Sequence, residues 1–278
     1  MVIEKKKMNL VLFGASSAIG SFLTKKYYDL GYNLFLIIRN KEHLNKYKRK
    51  FSNNKNQKVV IKYFNFKNEK NLKKFVMINK EGFKNSDFLI NCYGEQGEIK
   101  NFFDINLKKF KQTIDINFFF NIYLIKFIFP IIRTKKNYLI IFFSGGGALS
   151  LRKNFSSYSI SKIALIKFTE IISEEFNNKN IRVNILSPGI VHSKMTKKIL
   201  SKSKFVSKQE LLKIKKFSKH SDKTLRKIFL TINFLKDGKG KKISGKIISS
   251  MWDDILSWNK IKINRISKND NFTLRRKI

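Results

Sequence analysis

Two side chains in the middle of the sequence, Tyr158 and Lys162, are spaced so that they could carry out proton transfer. Positions i and i+4 of a helix share one face, so the lysine ammonium can lie beside the phenol. A free phenol has a pKa of about 10, and a nearby positive charge favours the phenolate and lowers that value. The pair therefore predicts a tyrosine that gives a proton to a reacting oxygen, or takes one from it, near neutral pH.

A serine upstream of this pair could hold the same reacting oxygen. Ser144 follows an apolar stretch and opens the run Ser144-Gly145-Gly146-Gly147-Ala148. A hydroxyl at this place can donate a hydrogen bond to a carbonyl oxygen and stabilise the charge that develops on it. The three side chains together predict the interconversion of a carbonyl and an alcohol, with the hydride exchanged by a bound cofactor.

The cofactor is indicated by a turn of small residues near the N-terminus. The N-terminus of a helix presents N–H groups and a partial positive charge to a dinucleotide pyrophosphate. Any glycine-rich turn can join a strand to a helix, but a place after the first strand favours a dinucleotide site. The residues of this turn that we expect to bind are Gly14, Ser16, Ser17, Ala18, Ile19 and Gly20.

The residues that end the next strands indicate which dinucleotide binds. Arg39 stands where an NAD site usually carries an acid and where a basic group would suit the 2′-phosphate of NADP. NADP(H) is therefore favoured, while NAD(H) stays open because Arg39 could also be an ordinary surface arginine. Asn65 suits an adenine contact, and Asn91 and Gly94 follow the fourth strand, where Gly94 would let the backbone approach the cofactor.

These residues can meet only if alternating strands and helices bring them to one edge of a sheet. Solidly apolar runs predict buried strands at residues 9–13, 33–38, 59–64, 88–92, 138–143, 182–187 and 246–249. Helices are expected at residues 19–30, 107–129 and 157–177. This alternation predicts an α/β fold, a doubly wound parallel sheet (Rossmann-type) of about seven strands with helices on both faces.

Composition and charge narrow the other possibilities. The chain carries 59 Lys and Arg against 19 Asp and Glu, but these are scattered, so nucleic-acid binding is not favoured as the primary role. One cysteine excludes an internal disulfide, and the histidines lack metal-ligand spacing, so no metal is predicted. The N-terminal apolar run is too short for a signal peptide, and residues 118–132 fall short of the ~20 that cross a bilayer. We expect a cytoplasmic protein without a membrane span.

The order and spacing of these residues resemble the short-chain dehydrogenase/reductase family over roughly residues 8–250. The resemblance also uses Asn117, which in that family helps to hold a water that links the lysine to solvent. It implies that Pro188, Gly189, Ile190, Val191 and Ser193 follow the sixth strand as contacts of the nicotinamide. The family further implies a homodimer or homotetramer built on the fourth and fifth helices.

The sequence departs from the family pattern at several places. Ala18 replaces the middle glycine of the turn, and Asn65 replaces a usual aspartate. The interval from Ser144 to Tyr158 is one residue longer than is common, so we expect the loop to bulge. One catalytic domain is predicted over residues 1–258, with a substrate loop at about 190–228 and a basic C-terminal tail over residues 259–278.

Two classes of function stay open at this stage. The first is an NADP-linked carbonyl reductase or alcohol dehydrogenase, whose substrate could be anionic or linked as a thioester. The second is a non-enzymatic protein that senses a cofactor or associates with nucleic acid on the same fold. The intact set of Asn117, Ser144, Tyr158 and Lys162 favours the enzyme.

Overall fold

A parallel sheet forms the centre of the computed structural model, which describes residues 7–52, 57–132, 137–176 and 180–275. Its strands are β1 (Asn9–Phe13), β2 (Asn33–Ile38), β3 (Val59–Tyr63), β4 (Phe88–Asn91), β5 (Tyr138–Phe143), β6 (Ile181–Ser187) and β7 (Ile247–Ser249). They pair in the order β3-β2-β1-β4-β5-β6-β7. The predicted α/β fold with a doubly wound parallel sheet is confirmed, and the strand ends differ from prediction by at most one residue.

Helices cover both faces of this sheet, which explains why the strand sequences are apolar throughout. Strands β4 and β5 are buried at every position. One face is covered by α1 (Ala18–Asp29), α2 (Lys41–Lys50), α10 (Ser221–Lys236) and α11 (Lys260–Lys268). The other is covered by α3 (Glu69–Ile78), α4 (Lys80–Lys84), α6 (Phe120–Ile132) and α7 (Ser156–Glu175). The strand order reverses between β1 and β4, which is where open α/β sheets bind their ligands.

The helix predicted at residues 107–129 is longer than expected and is interrupted by a wider turn. It consists of α5 (Leu107–Ile114), a π-helical turn (Asp115–Phe119) and α6, which passes through Pro130. The predicted end before the proline is wrong, because the helix continues to Ile132 and packs Ile131 and Ile132 into the core. By length and composition the stretch Leu107–Ile132 could cross a membrane, but half of its apolar window is buried inside the protein. This stretch is longer than the apolar run that the sequence indicated at residues 118–132 because it extends back to Leu107, and its side chains Phe120, Leu124 and Ile128 lie in the core.

The polar segment at residues 194–228 folds as helices beside the carboxyl ends of the strands. These are α8 (Lys194–Ser201), α9 (Lys208–Ser218) and the first half of α10, with a short 3₁₀ turn at Ser203–Phe205 between α8 and α9. Three further 3₁₀ turns lie elsewhere in the chain, at Phe102–Asp104, Gly238–Lys242 and Ile255–Ser257. Ile214 of α9 packs with Phe155, Ile199 and Val206 in a small apolar cluster of its own. The helix predicted at residues 157–177 begins one residue earlier, and its last residue, Asn177, lies outside the described residues.

The predicted basic tail over residues 259–278 is corrected by the structure in the part that it describes. Helix α11 buries Ile263 and Ile266 in the core beside α10. Beyond the helix, the Phe272 carbonyl accepts a hydrogen bond from the Ile247 N–H at 2.8 Å. The high lysine content hid two apolar side chains at helical spacing, so the segment up to residue 275 packs on the core rather than trailing from it.

Candidate active site

The turn between β1 and α1 is shaped by two glycines that touch backbone. Gly14 has a φ of +70°, and a Cβ added there would lie 2.8 Å from the carbonyl carbon of Cys92. A Cβ added at Gly20 would lie only 2.2 Å from the Gly14 carbonyl oxygen. Neither position can therefore hold a larger side chain without movement of the backbone, as the sequence predicted for a tight turn with close helix packing.

The start of α1 leaves backbone donors free to meet an anion. The helix begins at Ala18, and the Ser17 hydroxyl accepts a hydrogen bond from the Gly20 N–H at 3.0 Å. The N–H groups of Ala18 and Ile19 have no acceptor within the helix, because the first turn never supplies one. Ser16 and Ser17 are half-exposed at the same place. This turn lies at the carboxyl end of β1, in the crevice where the strand order of the sheet reverses, and its donors fit a dinucleotide pyrophosphate.

Tyr93 joins the residues that were predicted to contact the adenosine. Its hydroxyl donates to Asn65 Oδ1 at 3.2 Å and accepts from the Phe66 N–H at 3.2 Å. The exposed Arg39 guanidinium lies 5.3 Å from the centre of the Tyr93 ring. The structure thus brings Arg39 and Asn65 together through a side chain that sequence reasoning missed. Its neighbour Gly94, singled out for close approach of the backbone, was the available signal.

Asn91 holds the protein itself together at the end of β4. Its amide nitrogen donates to Asn121 Oδ1 at 2.6 Å, and its Oδ1 accepts from the Tyr93 N–H at 2.8 Å. The side chain is buried. Asn91 therefore fixes the turn that leads to Tyr93 and Gly94, rather than offering its amide to a ligand.

Asn117 fixes the backbone that follows Gly94. It is buried on the π-helical turn, where its Oδ1 accepts from the Glu95 N–H and its Nδ2 donates to the Glu95 carbonyl, both at 2.9 Å. The same amide donates to Ser161 Oγ on α7 at 3.1 Å. A Cβ added at Gly94 would lie 3.1 Å from Asn117 Oδ1 and 3.7 Å from Lys162 Nζ. The predicted asparagine and lysine therefore meet beside Gly94.

Tyr158 and Lys162 lie one turn apart on α7, and both are buried. Lys162 Nζ donates to the Phe143 carbonyl at 2.9 Å and lies 5.8 Å from the centre of the Tyr158 ring. Burial lowers the pKa of Lys162 to about 8 and raises the pKa of Tyr158 to about 12. The sequence predicted a lowered phenol pKa, but the loss of solvent outweighs the opposing charge of Arg152.

Ser144 and the Tyr158 hydroxyl reach the same end of β5. The Ser144 N–H donates to the Leu186 carbonyl at 2.8 Å, which fixes the serine beside β6. A Cβ added at the next residue, Gly145, would lie 2.1 Å from Tyr158 Oη. The phenol therefore occupies space that only a glycine leaves free, directly after the serine. The run of glycines predicted to let the loop bulge also makes room for the tyrosine.

The residues after β6 divide between exposed and structural positions. Gly189 is exposed with a φ of +78°, and a Cβ added there would lie 2.5 Å from Met251 Cγ. Pro188 and Ile190 are half-exposed. Val191, by contrast, is buried in the core, and the Ser193 hydroxyl caps α8 by accepting from the Thr196 N–H at 3.1 Å.

Arg152 adds a second positive charge near Tyr158 and was not singled out from the sequence. Its guanidinium carbon lies 3.6 Å from the centre of the Phe155 ring, and its Nε donates to Glu210 Oε1 at 2.9 Å. Its Nη1 donates to the Gly146 carbonyl at 3.4 Å. Burial has the larger effect on the pKa of Tyr158, and the Arg152 charge opposes it. The available signal was an arginine just before the tyrosine in a chain where lysine is far commoner.

Comparison with known proteins identifies the family to which the chain belongs. A sequence model of the short chain dehydrogenase family matches residues 8–204. The chain belongs to the short-chain dehydrogenase/reductase family, which is a family of oxidoreductases. The 11-beta-hydroxysteroid dehydrogenase-like 2 of Arabidopsis thaliana is 28% identical over 187 residues, which make up 67% of this chain and 60% of that relative's length.

Solved structures share the same architecture. A short chain dehydrogenase from Shigella flexneri, complexed with NADP, aligns with a TM-score of 0.74 at 17% identity, over 88% of this chain and 98% of that chain. An NAD⁺-bound xylitol dehydrogenase aligns with a TM-score of 0.75 at 21% identity, over 88% of this chain and 98% of that chain. At these identities the likeness establishes a common fold.

Proposed function

We propose that this chain is an NADP(H)-dependent oxidoreductase that interconverts a carbonyl and an alcohol, with Tyr158 as the acid and base. The observation that carries the proposal is the position of the Tyr158 hydroxyl against Gly145, directly after Ser144. Lys162 lies one turn further along α7, beside Gly94 on the cofactor side. This arrangement can pass a proton to an oxygen at the carboxyl end of β5.

The cofactor proposal is supported by the turn between β1 and α1. The free N–H groups of Ala18 and Ile19 would meet the pyrophosphate, and Arg39 would meet a 2′-phosphate. The Shigella structure contains NADP and the xylitol dehydrogenase contains NAD⁺, which favours a nicotinamide dinucleotide without choosing between the two. The exposed Arg39 at the end of β2 supports NADP(H) as our proposal. When bound, the nicotinamide supplies or accepts the hydride at the carbonyl carbon.

The protein side chains would handle the proton and the developing charge. In the direction of reduction, Tyr158 Oη gives its proton to the carbonyl oxygen while Ser144 Oγ donates a hydrogen bond to the same oxygen. Lys162 Nζ, fixed at the Phe143 carbonyl, stabilises the phenolate that remains. Because burial keeps the pKa of Tyr158 high, at about 12, the phenol holds its proton at neutral pH and suits the role of a proton donor.

A cavity beside this site favours an anionic substrate. Its volume is about 450 Å³, and it begins at Glu95, the residue after Gly94, and at Gly97. A Cβ at Gly97 would lie 2.9 Å from Ser157 Oγ, directly before Tyr158 in the chain, so the cavity adjoins the catalytic helix. Four lysines line it, namely Lys100, Lys109, Lys198 and Lys202, against two glutamates. Lys100 and Lys109 pair with Glu98, which leaves Lys198 and Lys202 to offer positive charge to a carboxylate, phosphate or thioester-linked carrier group.

Self-association is the remaining part of the proposal. Helix α7 exposes apolar side chains at helical spacing, with Ile160 and Ile171 each half exposed and Ile163 close to that. Phe119 on the π-helical turn is also exposed, and its neighbour Phe118 packs on Phe168 of α7. Apolar surface of this kind is typical of contacts between subunits, which supports a homodimer or homotetramer formed through these helices.

Titration with NADPH and NADH tests the cofactor part. We expect NADPH to bind at least about tenfold more tightly, because a charge-assisted bond to a phosphate contributes about 1.5 kcal/mol or more. Arg39→Ala should remove most of this preference. Arg49→Ala, on the exposed side of α2, should leave it unchanged. Tighter binding of NADH would contradict the role of Arg39. Failure of both cofactors to bind would refute the proposal that the protein is an oxidoreductase.

Tyr158→Phe tests the catalytic part. It should lower turnover about 10²- to 10⁴-fold, since it removes the general acid, and leave NADPH binding close to wild type. NADPH oxidation against a panel of carbonyl compounds that includes β-ketoacyl thioesters provides the measurement. Tyr123→Phe, which removes a phenol hydroxyl from α6, serves as the control. Unchanged turnover in Tyr158→Phe would refute the assigned role.

A further inference from the structure

The loop between Ser144 and Tyr158 contains a cation that is held in place on three sides. The Arg152 side chain is only 12% exposed. It stacks on the buried Phe155 ring, donates to the Gly146 carbonyl, and forms an ion pair through Nε and Nη2 with Glu210 of α9. A lysine could not make the stack and the fork of hydrogen bonds together. The geometry therefore indicates a fixed charge rather than a solvated one.

The charge lies close to the phenol because the loop is folded tightly. A Cβ at Gly145 would lie 2.1 Å from Tyr158 Oη, and a Cβ at Gly147 would lie 3.0 Å from Arg152 Cβ. Only Gly146 lies between these two glycines, and a Cβ added there would lie 3.8 Å from Arg152 Nη1. In a site shielded from water, the guanidinium charge interacts more strongly with the phenol than it would at the protein surface.

Several charged or titratable groups surround Tyr158, and they come from different elements. Lys162 on α7 lies 5.8 Å from the ring centre, and burial lowers its pKa to about 8. The Cys92 thiol after β4 interacts with Lys162, and burial raises the pKa of that thiol. Arg152 acts from the loop, with Glu210 of α9 as its partner.

We propose that Arg152 is a positioning residue that stabilises the phenolate of Tyr158, and that Glu210 sets how much of its charge reaches the phenol. This inference rests on the proposed function, because it assigns Arg152 a part in the acid and base work of Tyr158. Through Arg152, Glu210 would link α9 electrostatically to the catalytic tyrosine. Helix α9 lies in the segment expected to cover the substrate.

Two substitutions that break the same ion pair test the proposal, because they should act in opposite directions. Arg152→Met removes the cation and should move the apparent pKa of Tyr158 up by about one pH unit. Glu210→Gln leaves the cation uncompensated and should move that pKa down. A purely structural link between the loop and α9 would be broken by either change, and the two variants would then shift alike.

The measurement is the pH profile of alcohol oxidation with NADP⁺ and the alcohol form of the most active carbonyl in the panel. Oxidation needs the phenolate, so at any pH below the pKa of Tyr158 the rate follows the phenolate fraction, which changes about tenfold for each unit by which that pKa moves. The ascending limb should lie at higher pH in Arg152→Met and at lower pH in Glu210→Gln. Arg152→Lys, which keeps a charge, should return part of the way. The exposed Lys153→Met is the control for the loop and should superpose on wild type.

A second readout separates this inference from the proposed function. The ionisation of the phenol can be followed by ultraviolet absorbance, as the difference between each protein and the same protein carrying Tyr158→Phe. Full turnover in Tyr158→Phe would refute the function, while opposite shifts in this titration would still support the effect of Arg152. Shifts of the same sign, or none, in folded variants would overturn the inference. If Arg152→Met does not fold, Glu210→Gln and Arg152→Lys decide between these outcomes.

Discussion

The two ends of the crevice above the sheet are built on different physical terms. At the turn between β1 and α1, backbone packs so closely that a methyl at Gly20 would lie 2.2 Å from a carbonyl oxygen. At the catalytic end, Tyr158 and Lys162 are ionisable side chains whose pKa values are moved by burial in opposite directions. The β1–α1 turn depends on the absence of side chains at its glycines, whereas the catalytic end depends on ionisable groups that are shielded from water. The first should therefore respond mainly to size and the second also to pH.

Gly20→Ala should have the largest effect and should act on the whole fold. The added methyl collides with backbone at both Gly14 and Ala15, which cannot rotate away as a side chain could. We expect the free energy of unfolding in urea to fall by about 3 kcal/mol, at the upper end for overpacking. Gly146→Ala is the control, because its nearest neighbour is the end of Arg152 at 3.8 Å. Equal stability of the two variants would show that the turn is not sterically limited.

Gly145→Ala should separate the two ends by damaging only the catalytic one. Its methyl would occupy the place of Tyr158 Oη, so the phenol must move. Turnover should fall about 10²-fold, the result expected when a catalytic group is misplaced by about 1 Å. NADPH affinity should change by no more than about threefold, since the contacts at the β1–α1 turn are untouched. A loss of cofactor binding equal to the loss of turnover would contradict this separation.

The smallest expected effect is a pH dependence at the catalytic end. The pKa of Lys162 is about 8 in the folded protein, below the ordinary lysine value of 10.5. Between these two values the unfolded chain binds more protons, so the folded protein gains stability as the pH rises. Lys162→Met lacks this contribution. The free energy of unfolding of wild type should therefore rise relative to that of the variant between pH 8 and about 10, where Tyr158 does not yet contribute.

Urea unfolding of both proteins at several pH values in this window provides the measurement. A constant difference between wild type and Lys162→Met would mean that the lysine keeps its ordinary pKa. The corresponding comparison at the β1–α1 turn, made with Gly20→Ala, should show no such slope, because no titratable group defines that contact. The two measurements together therefore test whether only the catalytic end contributes a pH-dependent term to the free energy of unfolding.

The features that the sequence predicted well are those set by local pattern. Strands β1, β2 and β5 have the predicted ends, because apolar runs between turn residues determine them. The glycine turn could also be predicted, since only the smallest residue fits where backbone meets backbone. The proline in α6 misled the prediction, because a local rule about helix ends was overridden by the packing of the last turn against the core.

The features that could not be predicted depend on contacts across long stretches of chain. Tyr93, after β4, reaches Asn65, after β3, and Arg152 reaches Glu210 in a helix 58 positions further on. The raised pKa of Tyr158 reflects how completely the surrounding chain excludes water, which spacing in the sequence does not reveal. The predicted tail failed for the same reason, since burial of Ile263 and Ile266 needs a partner surface on the sheet side of α10.

The C-terminal segment also covers one edge of the sheet. β7 is the last strand in the sheet order, and an uncovered margin can template pairing with a strand from another molecule. The Phe272 carbonyl takes up the Ile247 N–H there, and the Phe272 ring packs on Trp258 at 5.1 Å. The segment after α11 therefore covers part of the β7 edge, where it would hinder pairing with a strand from another molecule.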